Sequence, residues 1–209
     1  MDDSPFKPSF FEREDESDDA LFYALPRMVA HIDEYAVEAA RRLYRELVPQ
    51  GARLLDVMSS RYSHLPEELA PAEVVGLGMN LEELRANPQL TGHIVHDLNR
   101  EPRLPFDDGA FDAAVITVSV QYLTRPVDVF RDLARVLVRD APLVVTYSNR
   151  MFSTKAVRIW RALDDRDRAT LVASYFRYSG GWRDVVMADV SVESGGYNDP
   201  LYAVWAYRA

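Results

Sequence analysis

Cysteine is missing from all 209 residues, which removes disulfides, thiolate metal sites and thiol nucleophiles together. Cytosine methylation through a cysteine adduct and thiol-based hydrolysis are excluded with it. Glycine is sparse at 9 residues, and none of them builds the Gly-x-Gly-x-x-Gly turn of a dinucleotide site. No apolar run approaches the roughly 18 residues that a membrane span requires. The opening Met-Asp-Asp-Ser lacks the basic and apolar regions of a secretory signal, so a cytoplasmic protein is expected. Positive charge is in deficit: 24 basic side chains face 33 acidic ones, for a formal net charge of −9. An acidic body repels nucleic acid and anionic membranes. A small molecule is therefore the expected partner.

What is present has the make-up of a single globular domain, with 48% hydrophobic and 27% charged residues. Much of the acid lies in residues 1–20, read as a disordered, solvated tail that could be deleted without harm to folding. From Phe22 a helical pattern runs to Val48, with Val29, Ile32, Tyr35, Ala36, Ala39, Leu43 and Leu47 spaced three and four apart. Apolar runs at residues 53–58 and 73–77 read as two parallel strands joined by a crossover. Asn80 is placed to cap a short helix whose first turn holds Glu82 and Glu83.

Further strands are expected at residues 93–96, 111–118 and 142–147. A helix starting at Pro126 and one or two more over residues 155–177 complete the alternation. Residues 185–193 and 201–207, joined by a turn-rich segment, read as a closing hairpin. Alternation followed by a hairpin predicts an α/β domain with a seven-stranded, mostly parallel Rossmann-like sheet, an antiparallel C-terminal strand and helices on both faces. Residues 21–209 are expected to form one domain, with residues 21–50 as a helical lid.

Several segments, Leu-Leu-Asp-Val-Met-Ser-Ser, Val-Val-Gly-Leu-Gly-Met-Asn, His-Asp-Leu-Asn, Leu-Pro-Phe-Asp-Asp-Gly-Ala-Phe-Asp and Val-Phe-Arg-Asp-Leu-Ala-Arg-Val-Leu, occur in order between residues 51 and 150. In them the chain resembles class I S-adenosylmethionine-dependent methyltransferases, nearest to the small-molecule type that includes ubiquinone and menaquinone methyltransferases. The resemblance implies S-adenosylmethionine as cofactor and a small-molecule methyl acceptor. It implies cofactor contacts at Asp56, Met58, Ser59, Ser60, Gly78, Met79, Asn80, Asp97, Leu98 and Ser119.

The motif is degenerate. The family's acid-x-Gly-x-Gly-x-Gly keeps its acid at Asp56, but Met58, Ser60 and Tyr62 stand at the glycine positions. The carboxylate that receives the ribose hydroxyls is replaced by Gly78, leaving Asn80 or main chain to substitute, whereas Asp97 matches the acid that receives the adenine amino group. The Pro-Gly-Gly before the fifth strand is Arg139-Asp140-Ala141. Either the cofactor is held by a rearranged loop, or the protein is a non-catalytic ligand-binding or scaffold relative. The Asn/Asp-Pro-Pro-aromatic element of nucleobase and glutamine methyltransferases is replaced by Ser119-Val-Gln-Tyr122. An oxidoreductase is disfavoured by the missing glycine turn and by the closing hairpin.

Methyl transfer needs alignment more than acid–base chemistry, and a dedicated base only for phenols, enols or carbon acids. His31, Tyr23 and Tyr122 are the candidate catalytic residues, and Arg27, Asn149 and Arg150 the candidate substrate contacts. Each has a plainer alternative: a satisfied half-buried histidine, packed tyrosines, a surface salt bridge for Arg150. His64 either reaches ligand or anchors its loop by a hydrogen bond. His93 and His96 fall on opposite strand faces and make no metal pair. Trp160, Tyr175 and Phe176 read as core.

Overall fold

In a computed structural model the protein is described over residues 5–192 and 195–209. The expected tail residues 1–4, the last expected strand residue 193 and the first expected turn residue 194 lie outside the described residues.

The sheet is built from β1 (Arg53–Val57), β2 (Glu73–Gly78), β3 (Gly92–Val95), β4 (Ala113–Thr117), β5 (Pro142–Tyr147), β6 (Trp182–Asp189) and β7 (Tyr202–Arg208). Its seven strands lie in the order β3-β2-β1-β4-β5-β7-β6. β1 pairs in parallel with β2 on one side and β4 on the other, β4 with β5, and β2 with β3. β7 enters antiparallel between β5 and β6. The strands match the expected ones to within a few residues, and the antiparallel end is where the closing hairpin places it.

Alternate strand residues feed two cores. Leu55, Val57, Ala114, Ile116, Leu143 and Val145 point to one face. There they meet α4 (Pro126–Val136), α5 (Arg158–Ala162) and α6 (Asp165–Ser179), including Phe130, Leu133, Trp160, Tyr175 and Phe176. Leu54, Val74, Ala113, Val115 and Val144 point to the other face, against Ala36, Ala39, Ala40, Leu43 and Tyr44 of α2 (Glu34–Leu47). That three-and-four spacing is the apolar stripe of an amphipathic helix. Strands covered on both faces explain the near-continuous apolar runs.

The N-terminal expectations need correction. α2 begins at Glu34 rather than near Phe22, because Asp33 caps it by accepting from Ala36 N at 2.9 Å. A 3-10 turn at Pro8–Phe11 and a single α-helical turn, α1 (Asp19–Phe22), precede it. Residues 5–20 are not a solvated tail. The Phe6 and Phe11 rings lie 5.6 and 6.3 Å from the Tyr175 ring, and Asp15 N donates to Thr154 O at 2.9 Å. Asp19, only 6% exposed, receives Arg13 Nη1 at 2.7 Å and Asn99 Nδ2 at 2.9 Å. It also faces the fully buried Lys155 ammonium at 3.1 Å. Charge content alone mistook a paired, folded segment for a solvated one.

Candidate active site

The strand order reverses between β1 and β4, so the connections leaving their carboxyl ends diverge and open a crevice. A cavity of about 500 Å³ fills it, within the roughly 300–1,000 Å³ that encloses a drug-sized ligand. Every candidate residue from the sequence lines it: Tyr23, Arg27, His31, Asp56, Met58, Ser59, Ser60, Gly78, Met79, Asn80, Asp97, Leu98, Ser119, Tyr122, Asn149 and Arg150. The cavity also takes in residues that were not among those candidates, chiefly Glu83, Asn99, Thr117 and Phe152.

Met58 and Val118, just past the ends of the two central strands, both have positive φ, 58° and 46°. Met58 occupies the first family glycine position and keeps the left-handed backbone that glycine would supply there. For β-branched Val118 this conformation is a genuine outlier, held by its N–H donating to Thr146 O at 2.9 Å. Strain of this kind persists where the surrounding structure over-determines it, often beside a ligand.

The remainder of the altered loop is held by carboxylates. Ser59 and Ser63 both donate their hydroxyls to Asp56 Oδ2 at 2.6 Å. Full burial outweighs those bonds and pushes the Asp56 carboxyl up to about 6. Ser59 N donates to Leu77 O at 2.8 Å, which lays the loop across the end of β2. A side chain at position 78 would run into the Ser59 carbonyl. Gly78 and the altered loop are thus one adaptation: the acid at this strand end is lost because the loop backbone lies over it.

Asn80 is placed differently from its expected role towards ribose. Its Oδ1 accepts from Glu82 N and Glu83 N at 2.9 and 3.0 Å, capping α3 (Leu81–Ala86). Its Nδ2 donates to Tyr23 O at 2.8 Å and Ala24 O at 3.2 Å. Both ends of the amide are committed to protein. Glu83, 7% exposed, receives Arg27 N and the Ser60 hydroxyl, each at 2.6 Å. One carboxylate thereby ties the N-terminal segment to the loop after β1. The sequence signal for it was the Asn-x-x-Glu spacing of a capping pair, whose glutamate here reaches outward instead of back to the cap.

Asp97 Oδ1 accepts from Asn99 N at 2.9 Å and Arg100 N at 3.3 Å, and among the described residues no hydrogen bond reaches its other oxygen. Asn99 joins three segments, donating to Asp19 and to Tyr122 O while accepting from Thr124 N at 2.8 Å. The Ser119 hydroxyl is buried without a partner. Tyr122 Oη accepts from Phe152 N at 2.9 Å, and its ring stacks on Phe152 at 5.9 Å. Tyr122 therefore fixes the segment after β5, and burial raises its pKa.

On the opposite wall, Arg27 lies 4.7 Å over the Phe22 ring and 5.0 Å over Phe152. The His31 ring meets Phe152 edge-on at 5.5 Å. Desolvation lowers the His31 pKa, although Glu83 pulls the other way. Desolvation likewise raises Tyr23. Asn149 and Arg150 are exposed at the rim, Arg150 Nε lying 3.9 Å from Asp199. Among the described residues no group of acids and histidines is arranged to hold a metal ion, and no helix is long and apolar enough to cross a membrane.

Comparison with known proteins agrees with this geometry. Residues 58–145 match the sequence model of the methyltransferase domain. No curated protein matches the sequence. Among solved structures, an S-adenosylmethionine-dependent methyltransferase from Aquifex aeolicus superposes with a TM-score of 0.59 at 15% identity, covering 98% of this chain and 100% of that one. Geranyl diphosphate C-methyltransferase from Streptomyces coelicolor, in complex with S-adenosylhomocysteine, gives 0.53 at 14%, covering 82% and 78%. The [4+2]-cyclase SpnF gives 0.59 at 16%, covering 81% and 80%. The chain carries the class I methyltransferase fold, and its first four strands lie within or beside the segment that matches the methyltransferase domain.

Proposed function

We propose that the protein is an S-adenosylmethionine-dependent methyltransferase acting on a small-molecule acceptor. The observation that carries this reading is the cavity at the strand switch point, which is lined by all the candidate cofactor, catalytic and substrate residues. Its polar groups suit the cofactor. The free oxygen of Asp97 is an acceptor for the adenine amino group, beside buried Leu98. The unpartnered Ser119 hydroxyl is a buried group awaiting a hydrogen bond. Asp56, Met58, Ser59, Ser60, Gly78 and Met79 form the wall at the ends of β1 and β2. With Gly78 bare and Asn80 committed, ribose contacts fall to the main chain of that wall.

When bound, the cofactor supplies a methyl group on a sulfonium. The protein's own part is alignment and exclusion of water, worth about 7–11 kcal/mol in well-oriented cases. Tyr23, Arg27 and His31 form the lid side. They are clamped there by Asn80 and Glu83 through main-chain bonds. His31, kept neutral by burial, is the group that takes a proton if the acceptor has one to lose. Tyr122 positions Phe152 against the acceptor, and Asn149 and Arg150 meet its outer end. A cytoplasmic, membrane-independent protein that does not bind nucleic acid fits the acidic charge.

Saturating the protein with S-adenosylhomocysteine tests the reading. At a hundredfold excess over its dissociation constant the ligand adds about 2.7 kcal/mol, which is roughly 5–10 °C in melting temperature for this length. Asp97→Asn should weaken that binding, because the amide can present a donor to the adenine amino donor. No thermal shift and no calorimetric heat at millimolar ligand would instead favour the non-catalytic relative.

A further inference from the structure

His64 lies in the altered loop, where the sequence leaves two uses open: ligand contact or loop anchoring. Its ring makes no hydrogen bond among those of the described residues. The residue is only 8% exposed, yet it lines the cavity, and the Tyr62 ring stacks beside it at 6.1 Å. The His64 ring nitrogens are not among the sealed, unpartnered polar atoms, so they open onto the cavity, where a ligand can bond them. His31, from the N-terminal segment, lines the same cavity and among the described residues also has no ring hydrogen bond. The cavity thus presents ring nitrogens from two chain segments, with aromatic walls at Tyr122 and Phe152 and the Arg27 cation over Phe152.

We propose that His64 is a specificity-determining substrate contact alongside His31, and that the pair selects an acceptor carrying a hydroxyl on a planar, apolar frame. Neutral imidazole offers one acceptor nitrogen per ring. An acceptor nitrogen takes the O–H of a phenol, a bond that a methyl ether, which can only accept, does not make. This inference rests on the methyl-transfer reading, since it assigns the acceptor half of the same cavity.

The probes are 4-nitrophenol and 4-nitroanisole, titrated calorimetrically into protein saturated with S-adenosylhomocysteine, below the phenol's own pKa. The wild-type protein should prefer the phenol by at least about tenfold, the worth of one good hydrogen bond. His64→Asn, whose asparagine tolerates the positive φ of 55° at that position, and His31→Gln should each cut the ratio several-fold. The ratio, unlike either affinity, is insensitive to general loosening. A readout on the unaltered protein stands beside the variants. Charge at this corner comes from Glu83 on α3, Arg41 on α2, Arg27 and His31 of the N-terminal segment, and Asp56 behind the loop. Protonating the rings in acid should abolish the preference while 4-nitroanisole still binds.

Equal binding of the two probes, or a ratio unchanged in both folded variants, would overturn the assignment while leaving the cofactor reading intact. Absence of any heat with S-adenosylhomocysteine would overturn the cofactor reading and this inference with it.

Discussion

Asp56 and His64 sit in the same loop and are displaced in opposite directions. The carboxyl is pushed up to about 6 and the imidazole down to about 4, both by burial. Asp56 favours the native state below its ordinary value of 3.8, and that contribution is lost as pH rises through about 6. His64 favours the native state above 6.5, and its contribution is lost as pH falls towards about 4. Each slope is about 1.4 kcal/mol per pH unit inside its window, and the windows overlap. The wild-type protein should therefore change little in stability across mild acid. Asp56→Asn should steepen the acid loss and His64→Asn should flatten or reverse it, as urea unfolding from neutral pH down to the His64 value will report. Parallel profiles for all three proteins would show that neither group is displaced.

Among the elements, the N-terminal segment departs furthest from the sequence reading. Removing residues 1–20 takes away Asp15, Ser17 and Asp19, which surround the Lys155 ammonium at 3.4, 2.7 and 3.1 Å. A buried charge stripped of its partners costs about 3–5 kcal/mol, or roughly 6–20 °C of melting temperature. The truncated protein should melt early by that margin, measured by circular dichroism. Glu83→Gln is a milder case. An amide has one acceptor oxygen where the carboxylate uses two, so either Arg27 N or the Ser60 hydroxyl goes unmet. The cost is about 1–3 kcal/mol, and protease cleavage within residues 23–33 should rise.

These two cases show what was legible in the chain. Strands and caps were local: Asn80 and Pro126 mark their helices, and alternation marks which strand residues feed which core. The cavity wall was legible because strand ends carry it and strand order follows from alternation. The partners of Asp19 and Glu83 were not. They lie in Lys155, Asn99 and Arg27, 136, 80 and 56 residues away along the chain, and an acidic stretch reads the same whether its charges meet water or buried cations. The burial of the Asp56 carboxylate by two serine hydroxyls was hidden likewise, since Ser59 and Ser63 look like ordinary turn residues.

For the molecule as a whole, the last strand does more than close a hairpin. β7 bonds to β5 along one edge and to β6 along the other, and among the described residues β6 has no other strand neighbour. Val185, Val186 and Met187 on β6 remain exposed even in the finished fold, Met187 at 52%. A chain that lacks β7 carries two open edges, one on β5 and one on β6, of the kind that pairs readily with other chains. A chain ended before Tyr202 should recruit chaperones and aggregate, whereas the 209-residue chain should not, as light scattering of the two refolded proteins will report.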